Sequence, residues 1–174
     1  KNNVEIIAEI GWNHMGENDL ASEMISSAKK CGADIVKFQY WNPEFLKPGQ
    51  WDHDGRREIY NKAALTESKV KELKNISENE GCIFLISVFG TMGAKVIADM
   101  GIKNIKIPSH ETTNIPLIKF CSNNFDKIYF SAGASTEKEV ITANEILKNA
   151  EAEYTLMHCV SSYPCPIEKV NLSK

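Results

Sequence analysis

Six short apolar runs rich in β-branched residues alternate along this chain with five longer segments of helical character, and this alternation limits the fold more than any other feature. Strands are expected near 4–10, 34–40, 83–88, 104–108, 127–131 and 154–160. Helices are expected over "DLASEMISSAKKCG" (19–32), "TESKVKELKNISENEG" (66–81), "TMGAKVIADMG" (91–101), "TNIPLIKFCSNN" (113–124) and "STEKEVITANEILKNA" (135–150). Their end signals are Asp19 and Thr66 as caps, Gly32 and Gly81 as stops, Pro116 in a first turn and a Thr136–Glu139 capping box. Leu20, Met24, Ile25 and Ala28 make one apolar face of the first helix. Residues 42–65 read as one long loop.

Strict alternation means βαβ units and a parallel sheet, and near-continuous apolar strands mean that both faces are covered. Two α/β architectures fit. A doubly wound sheet could be complete at 174 residues. A (β/α)8 barrel usually needs about 250, so this chain would supply roughly three-quarters of one, its first six β/α units. No repeat, low-complexity tract or linker divides the sequence, so one domain is expected.

Composition excludes several partners. The chain is 43% hydrophobic and 25% charged with a net charge of -3, which gives no footprint for nucleic acid or an anionic membrane. No apolar run has the length of a membrane span, and the basic-then-apolar pattern of a signal peptide is missing. The five cysteines, Cys31, Cys82, Cys121, Cys159 and Cys165, are odd in number and lack CxxC spacing. Free thiols in a reducing, cytoplasmic setting are the expectation.

The polar residues inside the apolar runs point to chemistry. Glu9 lies near the end of the first strand, Lys37 and Gln39 in the second, and Lys106 in the fourth, with Ser109 and Glu111 just after it. Ser131 ends the fifth strand and Ser161 the sixth. A sheet has at most two edges, so three charged strand ends are poorly explained by edge strands, and buried charges come in partnership. In parallel α/β folds the carboxyl ends of the strands hold the active site. Two lysines with nearby hydroxyls suit a phosphate or carboxylate anion, and Glu9 and Glu111 could handle protons. A lysine in an apolar strand also fits a Schiff-base aldolase, where burial lowers its pKa, and the pattern leaves that reading open. No Gly-rich phosphate loop occurs. His14, His110 and His158 read as hydrogen-bonded structural residues, and His53 as a solvated loop residue. No HxxxH or HExxH pair offers a local metal site.

Four stretches carry a family resemblance: "IIAEIGWNHMGENDLASEMISSAKKCGADIVKFQ", "GIKNIKIPSHETTNIPLIKF", "KIYFSAGAST" and "MHCVSSYPCPIEKVNL". In order and spacing the chain resembles the N-acetylneuraminate (sialic acid) synthase family, which includes legionaminate and pseudaminate synthases. The resemblance implies a (β/α)8 barrel transferase of carbohydrate biosynthesis that condenses phosphoenolpyruvate with an N-acylated amino sugar. The product is a nine-carbon 2-keto-3-deoxy acid, and phosphate leaves by C–O cleavage. It implies that Lys37, Lys106, Ser109 and Ser131 cradle phosphoenolpyruvate. Glu111 is the implied acid/base near the aldehyde, with Glu9 and Gln39 at the reacting ends. Ser161 and Tyr163 take the place of an Asn-x-Tyr that holds the acyl sugar. A divalent Mn2+ or Mg2+ is implied, with histidine ligands beyond Lys174, as is a homodimer of the full-length form.

Three departures stand out. Val88 replaces a threonine that contacts the ligand, and Ser161 replaces an asparagine in the sugar site. The last strands and a C-terminal antifreeze-like domain have no counterpart in residues 1–174, which correspond to the N-terminal part of the barrel. The 174-residue chain alone is therefore expected not to catalyse the condensation, and a non-catalytic binding or assembly role is the contrasting reading.

Overall fold

The computed structural model describes residues 4–172. The chain divides between Ser87 and Val88 into two compact units. In the first, β1 (Ile7–Gly11), α1 (Asn18–Lys30), β2 (Ile35–Tyr40), α2 (Arg56–Ala63), α3 (Glu67–Asn79) and β3 (Ile83–Val88) follow one another. In the second come α4 (Gly90–Asp99), β4 (Asn104–Ile107), α5 (Ile115–Asn124), β5 (Lys127–Ser131), α6 (Glu137–Lys148) and β6 (Glu153–Met157).

Within each unit the strands lie side by side in sequence order, β1-β2-β3 and β4-β5-β6. Neither run contains a switch point, the feature that would mark a doubly wound sheet. The registers run parallel. Glu9 is the direct partner of Lys37, and a bulge between Glu9 and Gly11 adds a residue to β1. In the second unit Lys106 pairs with Tyr129, and Ser131 with Met157. Side chains alternate across a strand. Glu9, Lys37 and Gln39 therefore share one face of the first unit, and Lys106, Tyr129 and Ser131 one face of the second.

The opposite strand faces are apolar: Val36 and Phe38 of β2 and Phe84 and Ile86 of β3 are buried, with Val70 and Leu73 of α3, while Ile35 and Leu85, also buried, share the face of Lys37 and Ser87. Phe38 stacks on Phe84 at 5.7 Å. In the second unit Ile105, Ile107, Leu117, Ile118, Ile128 and Phe130 are fully buried. Helix α1 packs on α3, and α5 on both α4 and α6. Burying side chains of this size is worth about 1.5–3 kcal/mol each, which is what holds short, polar-faced helices in place.

Several local expectations need correction. The stretch 42–65 is not one loop: it contains α2 and two short 3-10 turns, tied by Arg57, whose Nε donates to Asp52 at 2.6 Å and whose Nη1 donates to the Pro43 carbonyl at 3.0 Å. The cap of α1 is Glu17 rather than Asp19, which sits in the first turn. Only Ala21 and Ile25 of that helix are fully buried, so its apolar face is narrower than expected. Strand β6 ends at Met157, which leaves His158 and Ser161 beyond it. The Thr66 cap and the Thr136–Glu139 capping box form as expected.

Candidate functional site

In the first unit the polar face of β1–β3 closes into a short chain of contacts. Lys37 is 3% exposed, and its Nζ lies 2.7 Å from the Glu9 carboxylate and donates to Ser87 Oγ at 2.9 Å. Direct register between Glu9 and Lys37 sets that pair, and β3 brings Ser87 to the same face. The lysine is hidden and paired, whereas Glu9 is 58% exposed and open to exchange. Gln39, two residues on, is half-buried at the same end of β2.

The turn after β1 stands beside this group. His14 is buried, and its Nδ1 accepts the Gly16 N–H at 3.0 Å. Its Nε2 has no partner. The ring packs 5.8 Å from Phe38. Burial first, and then the Lys69 ammonium, hold the imidazole below its ordinary pKa, so it stays neutral. Lys69 Nζ also donates to the Gly16 carbonyl at 2.8 Å. Gly16 has φ +78°, and a Cβ there would run into the Lys62 carbonyl oxygen, so only glycine fits. Trp12 and Trp41, which follow β1 and β2, both meet Tyr60 edge-on at 6.1 and 6.3 Å.

In the second unit a hydroxyl network forms at the carboxyl ends of β4–β6. Ser109 and Glu111 bound a 3-10 turn just after β4. Ser109 Oγ accepts the Gly133 N–H at 3.0 Å. Thr112 Oγ1 donates to the Ser109 carbonyl at 2.7 Å and the Ser131 carbonyl at 3.4 Å. Ser131 is 1% exposed, and its Oγ accepts the Cys159 thiol at 3.3 Å. The Glu111 carboxylate accepts the Asn114 amide at 2.7 Å. Lys106 is half-buried on the same strand face as Ser131. His110 stacks flat on Phe89 at 5.5 Å.

The structure thus joins Glu9 to Lys37 in one unit and links Ser109 to Ser131 through Gly133, Cys159 and Thr112 in the other. Ser161 and Tyr163 stand apart: Ser161 is exposed and Tyr163 fully so. Sequence reading missed Ser87, Thr112, Gly133 and Cys159 as supports. Ser87 was the most legible of them, a lone hydroxyl inside the apolar run "CIFLISVF". His14 and Lys69 show why: each support is set by a contact across elements. Among the described residues no group of three or more His, Cys, Asp or Glu side chains is placed to hold a metal ion. No helix among them is long and apolar enough to cross a membrane.

The chain matches known proteins along almost all of its length. The NeuB family model matches residues 24–174. An N,N'-diacetyllegionaminic acid synthase of Legionella pneumophila is 31% identical over 183 aligned positions, covering 96% of this chain and 51% of the relative. The human N-acetylneuraminate-9-phosphate synthase is 30% identical, covering 96% of this chain and 49% of the relative. The crystal structure of an N-acetylneuraminic acid synthetase from Leptospira borgpetersenii, in complex with citrate, superposes with a TM-score of 0.85 at 30% identity. It covers 98% of this chain and 59% of that one. The chain spans about half the length of the curated relatives it matches. Its fold is α/β, parallel strands alternating with helices as in the first six units of a (β/α)8 barrel.

Proposed function

The chain belongs to the NeuB family, and on that premise we propose that it forms the N-terminal part of a barrel that condenses phosphoenolpyruvate with an N-acylated amino sugar. The observation that carries the reading is the Glu9–Lys37–Ser87 contact, a buried ammonium at a strand end whose carboxylate partner is itself exposed. Such a pair is suited to exchange. An incoming phosphate or carboxylate takes the place of the Glu9 carboxylate on Lys37, and Glu9 turns to solvent or to the reacting centre. Lys106, Ser109 and Ser131 supply the remaining positive charge and hydroxyl donors of the cradle. Val88 presents no hydroxyl there.

In this reading C3 of phosphoenolpyruvate forms the new bond to the sugar aldehyde carbon. The aldehyde oxygen takes up a proton, and water adds at C2 before phosphate leaves with its bridging oxygen. We assign delivery of that proton to Glu111, whose carboxylate accepts the Asn114 amide. Glu9 and Gln39 contact the reacting end, and Ser161 and Tyr163 hold the acyl sugar. The described residues do not fit a divalent-metal centre. The Mn2+ or Mg2+ of such a synthase would take its histidines from beyond Lys174. The protein acts as a cytoplasmic homodimer in this proposal.

The test is an assay of the intact protein that carries this chain, with phosphoenolpyruvate, manganese and a panel of N-acylated amino sugars. Phosphate release that tracks formation of a 2-keto acid is the expected result. Borohydride should trap no substrate on Lys37 or Lys106. A trapped adduct would replace this reading with a Schiff-base aldolase.

A further inference from the structure

Ser109 and Ser131 are held in the same unusual state. Each hydroxyl has its oxygen engaged as an acceptor, from the Gly133 N–H at 3.0 Å and from the Cys159 thiol at 3.3 Å. A serine hydroxyl carries one proton and two lone pairs, so an accepted bond on the protein side leaves the O–H to point elsewhere. Neither O–H has a hydrogen-bond acceptor among the described residues. Ser131 is buried, where a donor without an acceptor is costly.

We propose that Cys159 and Gly133 are positioning residues that aim the Ser131 and Ser109 hydroxyls as donors toward a bound phosphate or carboxylate. The inference rests on the anion cradle proposed above. Cys159 acts here as a donor, giving its proton to Ser131 Oγ, a role that a hydroxyl in its place can also fill. Gly133 makes the approach possible. A Cβ at that position would lie 2.7 Å from the Cys159 carbonyl oxygen and 2.8 Å from its Cβ, so any side chain would push Cys159 away. One glycine therefore serves both serines: its N–H orients Ser109, and its bare Cα lets Cys159 reach Ser131.

Calorimetric titration of the 174-residue chain with phosphoenolpyruvate, and separately with inorganic phosphate, tests this. Cys159→Ala should weaken binding about tenfold, the effect of losing one oriented donor to a charged ligand. Cys159→Ser keeps a donor and should return to within about threefold of the parent. A purely structural role would show as a lowered melting temperature without that rescue. Equal affinity of Cys159→Ala and the parent, or failure of the serine to rescue, overturns the inference while the cradle stands. Absence of binding by the parent overturns the cradle and this inference together. A second measurement needs no variant. Alkylation of Cys159 mapped by mass spectrometry should slow at least fivefold with phosphoenolpyruvate, while exposed Cys31 and Cys165 react unchanged. Unprotected Cys159 in a chain that binds the ligand would also overturn it.

Discussion

A lysine 3% exposed inside a strand costs desolvation, which Glu9 and Ser87 offset in the chain without ligand. This asymmetry separates function from stability at one residue. Lys37→Met should leave the urea midpoint of the chain nearly unchanged, because an apolar side chain of similar length fills the buried site while Glu9, 58% exposed, keeps its hydration and is not left as a buried unpaired charge. The same variant of the intact protein should lose at least tenfold in kcat/KM for phosphoenolpyruvate, since a bound anion that loses a buried charged partner is weakened by about 2–5 kcal/mol. Unchanged kinetics would remove Lys37 from the cradle. His14 makes a separate prediction. Its folded pKa lies below 6.5 because it is buried near Lys69. As pH falls through 6.5 the unfolded chain takes up a proton that the folded chain refuses, so stability is lost on acidification and is flat above that pH. His14→Gln should flatten the slope of urea stability between pH 7 and pH 5. At Cys121 burial, with a smaller effect of the Glu111 charge, pushes the thiol up to about 12. It should stay unmodified by iodoacetamide at pH 8 until the chain unfolds.

Among the elements, legibility followed how much of the signal was local. The cap of α6 was plain in sequence because both partners of the capping box lie within one turn: Thr136 and Glu139 bond each other's backbone. Thr136→Ala should cost about 1 kcal/mol, read from urea unfolding. Helix α2 was not legible. Its eight residues start from Gly55 in a left-handed conformation, and only Ala63 is fully buried. A helix so short is marginal alone and owes its existence to packing, here Tyr60 between Trp12 and Trp41. Strand β6 shows the opposite error. The apolar pattern ran on to Val160, yet pairing stops at Met157, because register with β5 ends there at Ser131. Its faces are also more open than those of β5: Leu156 is 40% exposed whereas Phe130 is fully buried.

For the whole molecule, the described residues supply an ion-paired lysine in one unit and donor hydroxyls in the other, but no divalent-metal centre. If the metal's histidines lie outside these residues, as the proposed function has it, the 174-residue chain by itself should release no phosphate from phosphoenolpyruvate and sugar with manganese present, although it should bind phosphoenolpyruvate. Metal-dependent phosphate release by the chain alone would show that His14, His110 or His158 contributes a site. The sequence by itself determined the fold class, since the period of apolar residues and the end signals of helices are properties of neighbours along the chain. It also determined that Glu9, Lys37, Lys106 and Ser131 are out of place in apolar runs, and so pointed to a site. Only the tertiary structure decided which of them are partners. Parallel register sets Glu9 against Lys37, and the close pass of Cys159 over Gly133 sets the direction of two hydroxyls. Those contacts join residues 28 positions apart or, between Gly133 and Cys159, 26 apart, and depend on strand register, which no local pattern encodes.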